Sequence, residues 1–182
     1  MSQATATTEL VAGTWAIDPG HSEVSFTVRH LMSKVRGSFA DFSGEITTTG
    51  NPLESTVAVT ITSASITTNN EQRDAHLRSP DFFDPARGSE LTFVSTGVTE
   101  GEDGHVITGD LTINGITRSV DLAAEFLGVG PSPFGATVLA AEATTTINRK
   151  DYGVSFNIPM DGGRFLVGDK VEITLSIEAT LA

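Results

Sequence analysis

From Gly13 onward the chain alternates apolar and polar positions in short bursts separated by turn residues. Val24, Phe26, Val28 and His30 alternate with Ser25, Thr27 and Arg29. A period of two marks a strand with one face toward a core. Val35, Gly37 and Phe39 continue this on a second strand, and Phe42, Gly44 and Ile46 resume it one residue out of phase. That slip predicts a β-bulge near Ala40 and Asp41 that bends the strand. Val57, Val59 and Ile61 mark a third strand, and Leu91 and Phe93 another. Leu111 and Ile113 run into Asn114-Gly115, a pair that accepts positive φ at both residues and so predicts a tight hairpin. Val120, Leu122, Ala124 and Phe126 share one face, opposite Asp121, Ala123 and Glu125. Gly128 to Gly135 reads as a Pro/Gly loop, and Thr137 to Ile147 as a strand rich in small residues. Between Asp151 and Asp169 the alternation of Tyr152, Val154 and Phe156 is interrupted by Pro159, Gly162 and Gly163. Val171, Ile173, Leu175 and Ile177 form a clean last strand.

One segment breaks the rhythm. Glu71 to Arg78 holds good helix formers without Gly or Pro, with Asn69 or Asn70 as a cap and Pro80 as a stop. Two turns of helix are marginal alone, so this one must lean on the rest of the fold, with Phe82 and Phe83 as anchors. The result is an all-β chain of eight or nine antiparallel strands and one short helix. Strands this long must hide their edges, and a closed barrel does so most completely, with a β-sandwich as the competitor. Residues 1–12 are small and polar and read as a flexible arm, and residues 13–182 as one domain.

Composition agrees: 25 Thr suit pleated strands and 18 Gly suit tight turns. The absence of cysteine excludes disulfides, thiol nucleophiles and Cys-ligated metals. A net charge of −12 repels phosphate backbones, so no nucleic acid is expected as a partner. The first ten residues carry no basic or apolar leader, and no run of about 18 apolar residues occurs, so the expectation is a cytoplasmic protein without stable membrane insertion.

The sequence is poor in catalytic signals. A zinc site could be drawn from His21, His30, His76 and Asp74, but no H-x-x-x-H or H-E-x-x-H spacing supports it. No G-x-S-x-G elbow and no phosphate-binding glycine loop is present. No carboxylate falls on the apolar parity of a strand. His30 does, close to the end of its strand, either as a buried neutral group or as a polar group at a pocket mouth. Phe is the dominant aromatic, at ten against one Trp and one Tyr. By parity, Phe26, Phe39, Phe42, Phe93 and Phe126 face inward. An eight-stranded barrel interior is either filled or just wide enough for one small ligand, and parity does not choose between these.

Taken in order, several runs resemble the YceI-like family of bacterial polyisoprenoid-binding, lipocalin-like proteins. They are Trp15-Ala16-Ile17-Asp18-Pro19-Gly20-His21-Ser22, Gly37 to Gly44, Arg73-Asp74-Ala75-His76-Leu77-Arg78 with Asp81-Phe82-Phe83-Asp84, Gly109 to Gly115, and Ile147-Asn148-Arg149-Lys150-Asp151-Tyr152-Gly153-Val154. The likeness spans Gly13 to Leu181. Tyr152 stands where Phe is common, and many relatives are exported whereas no leader is visible in this chain. The resemblance implies a closed eight-stranded antiparallel barrel around a long apolar cavity. That cavity would hold an isoprenoid or similar long-chain amphipathic lipid (a polyisoprenoid or an isoprenoid quinone), with no further cofactor and with a homodimer as a possible state. The expected lining is Phe26, Val28, Phe39, Phe42, Val59, Phe83, Phe93, Leu111, Leu122, Phe126 and Ile173. His30, Arg149 and Tyr152 are the candidate polar contacts at the mouth. The loops Gly128 to Gly135 and Asp161 to Gly168 are candidate lids. Two other functions remain open at this point: an enzyme acting on a bound lipid or quinone through His30, helped by Arg149 or Tyr152, and an interaction module with a filled barrel.

Overall fold

The computed structural model describes Thr7 and residues 9–182. Thirteen strands run β1 Gly13–Ile17, β2 Glu23–His30, β3 Ser33–Phe39, β4 Phe42–Thr48, β5 Thr56–Thr62, β6 Ile66–Thr67, β7 Glu90–Gly101, β8 Gly104–Ile113, β9 Ile116–Pro131, β10 Thr137–Asn148, β11 Pro159–Met160, β12 Arg164–Phe165 and β13 Val167–Leu181. Among the described residues the one α-helix, α1, spans Glu71–Leu77. Three pairs of strands are halves of longer, bent ones. β1 and β2 both pair with β13, in one direction along it. β3 and β4 lie against them, and β5 and β6 lie against β4 and β3 in turn. Counted this way, eight antiparallel strands follow one another around the sheet in chain order, and β13 closes it on β1 and β2. The barrel is therefore closed, and the sandwich alternative falls away. β11 and β12 form a separate small hairpin between β10 and β13.

The predicted slip at Ala40 and Asp41 is where β3 gives way to β4. The partner strand is interrupted opposite it by a 3-10 turn at Ser63–Ser65. The ladder is replaced there by Ala40 N–H donating to Ser65 O at 3.2 Å and Thr62 N–H donating to Asp41 O at 2.9 Å. The phase change lets Phe39 and Phe42 both point inward, and both are buried. The Asn114-Gly115 hairpin is also present, with φ of 52° and 72°. Asn70 caps α1 by accepting from Arg73 N–H at 2.9 Å.

Two expectations are corrected. Gly128 to Gly135 is not a loop: β9 continues to Pro131 and pairs with β10 as far as Thr137, so only the tip is a turn. Part of the 1–12 segment is held to the barrel, since Thr7 and Val129 exchange backbone bonds at 2.8 and 2.9 Å and Leu10 packs on the core. Residues 1–6 and 8 lie outside the described residues.

The two ends of the barrel differ. One end is plugged by Trp15 (0% exposed), which shares the buried core cluster with Val129, Leu139 and Ala179. Its indole N–H donates to Thr48 Oγ1 at 2.8 Å, and Thr48 donates to Val11 O at 2.6 Å. A buried Trp with its polar handle satisfied makes a firm stopper. The other end gathers the β2–β3 turn, α1, the Asn114-Gly115 hairpin and the chain from Arg149 to Val167.

Candidate functional site

The inward-facing positions enclose a cavity of about 240 Å³, bounded almost wholly by carbon. By the measure in which one water needs about 10–15 Å³, the space is far from filled. It lies just under the roughly 300–1,000 Å³ usual for ligand pockets, so a long tail would not be enclosed whole. None of the plug residues Trp15, Val129, Leu139 or Ala179 touches the cavity. At the opposite end Val28, Phe82 and Val167 line it where strands and turns end, and we read that end as the mouth.

Twelve of the fourteen expected site residues form its wall: Phe26, Val28, Phe39, Phe42, Val59, Phe83, Phe93, Leu111, Leu122, Arg149, Tyr152 and Ile173. The rings of Phe26, Phe39 and Phe83 run in sequence, each pair with centroids 5.8 Å apart, the second pair edge-to-face. Glycines make room for two of the rings. A Cβ on Gly37 would overlap the Phe26 ring, and one on Gly109 would overlap Phe93.

Two expected residues are elsewhere. His30 keeps the predicted parity but ends its strand, paired with Ser33 and Val167, and does not reach the cavity wall. Val28, two residues earlier on the same face, is the last residue of β2 to line the cavity, and His30 lies beyond it at the rim. Phe126 is half-buried and packs on the core, but not on the cavity. A register irregularity between Ala140 and Ala141, opposite Phe126 and Gly128, offsets it locally.

The roles of Arg149 and Tyr152 also differ from expectation. Arg149 is buried, and its guanidinium donates to Gly168 O (2.8 Å), Val154 O (2.8 Å), Phe156 O (2.9 Å) and Val167 O (3.5 Å). Burial pushes its pKa down, and Asp169, 3.9 Å away, pushes it back up. Its fork is spent on carbonyls, so it clasps the mouth wall instead of presenting a free cation. Tyr152 is 2% exposed, and its hydroxyl has no hydrogen-bond partner among the described residues. Burial raises its pKa, and the nearby Asp151 carboxylate adds to the rise.

Sequence reasoning missed the polar brace behind this wall. Asn114, buried in the hairpin, donates through Nδ2 to Phe82 O (2.7 Å) and Tyr152 O (3.4 Å) and accepts from Asp84 N–H (3.1 Å). Asp74 on α1 is buried and accepts from the backbone N–H (2.8 Å) and hydroxyl of Thr68. Burial pushes its pKa up, but these hydrogen bonds outweigh that and hold it below the usual carboxylate range. The residue types were legible, but which backbone groups they would find was not.

His21, His30, His76 and Asp74 do not converge. Among the described residues the one acidic–histidine trio within ligand reach is Asp18, His21 and Glu178, where His21 Nδ1 lies 2.7 Å from Asp18 Oδ2. That bond holds the Asp18 pKa down and the His21 pKa up. His76 instead bonds Asp81 at 2.8 Å and stacks edge-on against Phe82 and Phe156. Of the two candidate lids, Asp161 to Gly168 forms a wall of the mouth, with Val167 on the cavity, whereas Gly128 to Gly135 belongs to the plugged end. Among the described residues, no helix is long and apolar enough to cross a membrane.

Comparison with known proteins places this architecture. A UPF0312 protein of Ectopseudomonas mendocina is 41% identical over 175 residues, covering 93% of this chain and 88% of the relative. The crystal structure of the Campylobacter jejuni YceI protein matches with a TM-score of 0.71 at 28% identity, over 85% of this chain and 90% of that one. A polyisoprenoid-binding domain from Saccharophagus degradans, implicated in plant cell wall breakdown, shares the fold with a TM-score of 0.66 at 16% identity, over 94% and 100% of the two chains. The YceI-like domain model matches residues 15–179, and the chain belongs to the YceI-like family.

Proposed function

We propose that the barrel takes the apolar tail of an isoprenoid or similar amphipathic lipid, for sequestration, storage or transport. The observation that carries this reading is the carbon-lined cavity of about 240 Å³, which the buried plug residues at one end do not enter. An empty apolar space of this size is a cost to the fold that a hydrocarbon tail would remove. The polyisoprenoid-binding relative from Saccharophagus degradans supports the ligand class. A tail longer than the cavity would leave by the mouth, keeping its polar end near water.

The cavity wall favours binding over catalysis. Its ionisable side chains are Arg149, with its donors committed, Tyr152, and Glu142, which is exposed to solvent on the outer face. A lone phenol without a base in hydrogen-bond reach is a poor general acid or nucleophile. Its hydroxyl is sealed behind the carbon wall, so Tyr152 presents ring and not a donor to the cavity. Solvent extraction of the purified protein, followed by mass spectrometry of the extract, tests the proposal. An isoprenoid or comparable lipid in near-stoichiometric amount is expected. Absence of any such lipid, together with no uptake of an added prenol, would overturn it.

A further inference from the structure

The chain is acidic overall, but its charge is not spread evenly. The mouth end comprises segments 27–36, 68–90, 110–118 and 149–172. These hold all eleven Lys and Arg residues and ten of the carboxylates, leaving that end at +1. The remaining chain holds the other thirteen carboxylates and no Lys or Arg. The cations concentrate on one side of the mouth. Arg29 and Lys34 lie directly opposite each other in the β2–β3 hairpin, with Arg36 two residues further along, and all three are exposed. Like charges placed opposite each other destabilise a hairpin. Among the described residues no carboxylate comes within ion-pair distance of these three, or of Arg164 and Lys170 on the adjoining β12 and β13.

Apolar side chains project from the same rim. Met32, at the tip of the β2–β3 turn, is 97% exposed, and Leu31 beside it is also exposed. Phe165 (59% exposed) and Ile158 protrude from the β11–β12 region. Backbone bonds from Leu31 N–H to Leu166 O (2.9 Å) and from Leu166 N–H to Ile158 O (3.0 Å) tie these tips into one rim. Exposed apolar groups alone do not single out this end, because Phe134 at the plugged end is 89% exposed. Charge decides. Around the plugged end lie Glu9, Glu54, Glu100, Glu102 and Asp103, which an anionic surface would repel.

We propose that the mouth rim is a peripheral docking surface for an anionic phospholipid bilayer. Arg29, Lys34, Arg36 and Arg164 would meet the headgroups, and Met32 and Phe165 would dip among them. The acidic barrel end then points away, so the charge asymmetry orients the approach as well as strengthening it. The contact is shallow and reversible, and it sets the cavity opening against the lipid phase. This rests on the lipid-binding reading for its purpose, but its test does not need a ligand in the cavity.

The test is co-sedimentation of the full chain with phosphatidylcholine vesicles, with and without phosphatidylglycerol, at two salt concentrations. Binding to the phosphatidylglycerol vesicles alone is expected, weakening as salt rises. The variants R29E/K34E/R36E and M32S/F165S change exposed side chains and leave the core intact. The first should weaken binding by roughly fivefold or more per charge altered, the second by several fold, and F134S should have no effect. Equal binding to neutral vesicles, no binding to either, or dependence on Phe134 would overturn the proposal. So would binding to poly(U) RNA that falls with the charge reversals but ignores M32S/F165S, which would mark a general polyanion site. Any of these failures leaves the lipid extraction result untouched, so the two readings fail separately.

Discussion

Removing the Tyr152 hydroxyl should raise stability and leave ligand affinity unchanged. The phenol is 2% exposed, lines the cavity and finds no hydrogen-bond partner among the described residues. A buried hydroxyl left unpaired costs about 1–3 kcal/mol. Tyr152→Phe keeps the ring and deletes that cost, so the lipid-free protein should gain about 1 kcal/mol. For a domain of this size that is a rise in Tm of about 2–4 °C. The hydroxyl is sealed from the carbon surface of the cavity, so affinity for a bound tail should stay the same in Tyr152→Phe. Alkaline titration gives a third readout. Tyr152 is the chain's one tyrosine, so phenolate absorbance reports it alone. Its folded pKa is raised, chiefly by burial, so the stability it confers is intact below the unfolded value of about 10 and is lost as pH rises toward the folded one. The phenolate signal should therefore appear late, and the Phe variant should lose less stability above pH 10. The assays are calorimetry of delipidated protein and competitive binding of a quinone and a hydrocarbon of equal tail length, whose affinity ratio should be the same in both proteins. A loss of more than 1 kcal/mol in delipidated Tyr152→Phe would show that the hydroxyl is bonded, and would refute the reasoning.

Other consequences follow from the same wall. Arg149→Lys replaces a fork spanning four carbonyls with a single ammonium, and should cost about 3–5 kcal/mol and raise hydrogen exchange across residues 153–168. Gly37→Ala forces the Phe26 ring off its seat, which should destabilise by about 1–3 kcal/mol in urea unfolding and reduce lipid uptake as the ring moves into the cavity. The hydrogen bonds that lower the Asp74 pKa stabilise the protein above the unfolded aspartate value of about 3.9, and that contribution disappears as pH falls through the lower folded value. Asp74→Asn should flatten this acid limb in pH-dependent unfolding and cost about 1–3 kcal/mol at neutral pH. In a series of prenols, affinity should climb steeply with the first isoprene units, each worth on the order of 3–4 kcal/mol of transfer free energy, and then level off as the tail outgrows the cavity.

Parity made most of this barrel readable. The inward sets beginning at Val24, Val57, Leu111 and Ile173 face the cavity as alternation requires, and the phase slip after Phe39 marked the bend. Alternation is a local property, which is why it survives without knowledge of partners. It failed where neighbours decide. His30 keeps the inward phase but sits at the rim, because where a strand ends relative to the cavity depends on its partner strands. Phe126 is displaced by an irregularity next to it that leaves no mark in its own alternation. Arg149 looked like a headgroup contact because nothing local reveals the carbonyls of Val154, Phe156, Val167 and Gly168 that surround it. The charge asymmetry was hidden for a related reason. The −12 total averages two barrel ends whose segments alternate along the chain, and the fold alone sorts them.

If the interior space holds a lipid tail, filling that space must exclude the lipid. Ala143 lines that space from β10 and is small. Native mass spectrometry of the wild-type chain and of Ala143→Phe, each offered the same prenol after delipidation, tests the claim directly. One prenol per wild-type chain is expected, and none on a folded Ala143→Phe variant whose added ring occupies the cavity. Equal occupancy in both would place the lipid outside the barrel and contradict it.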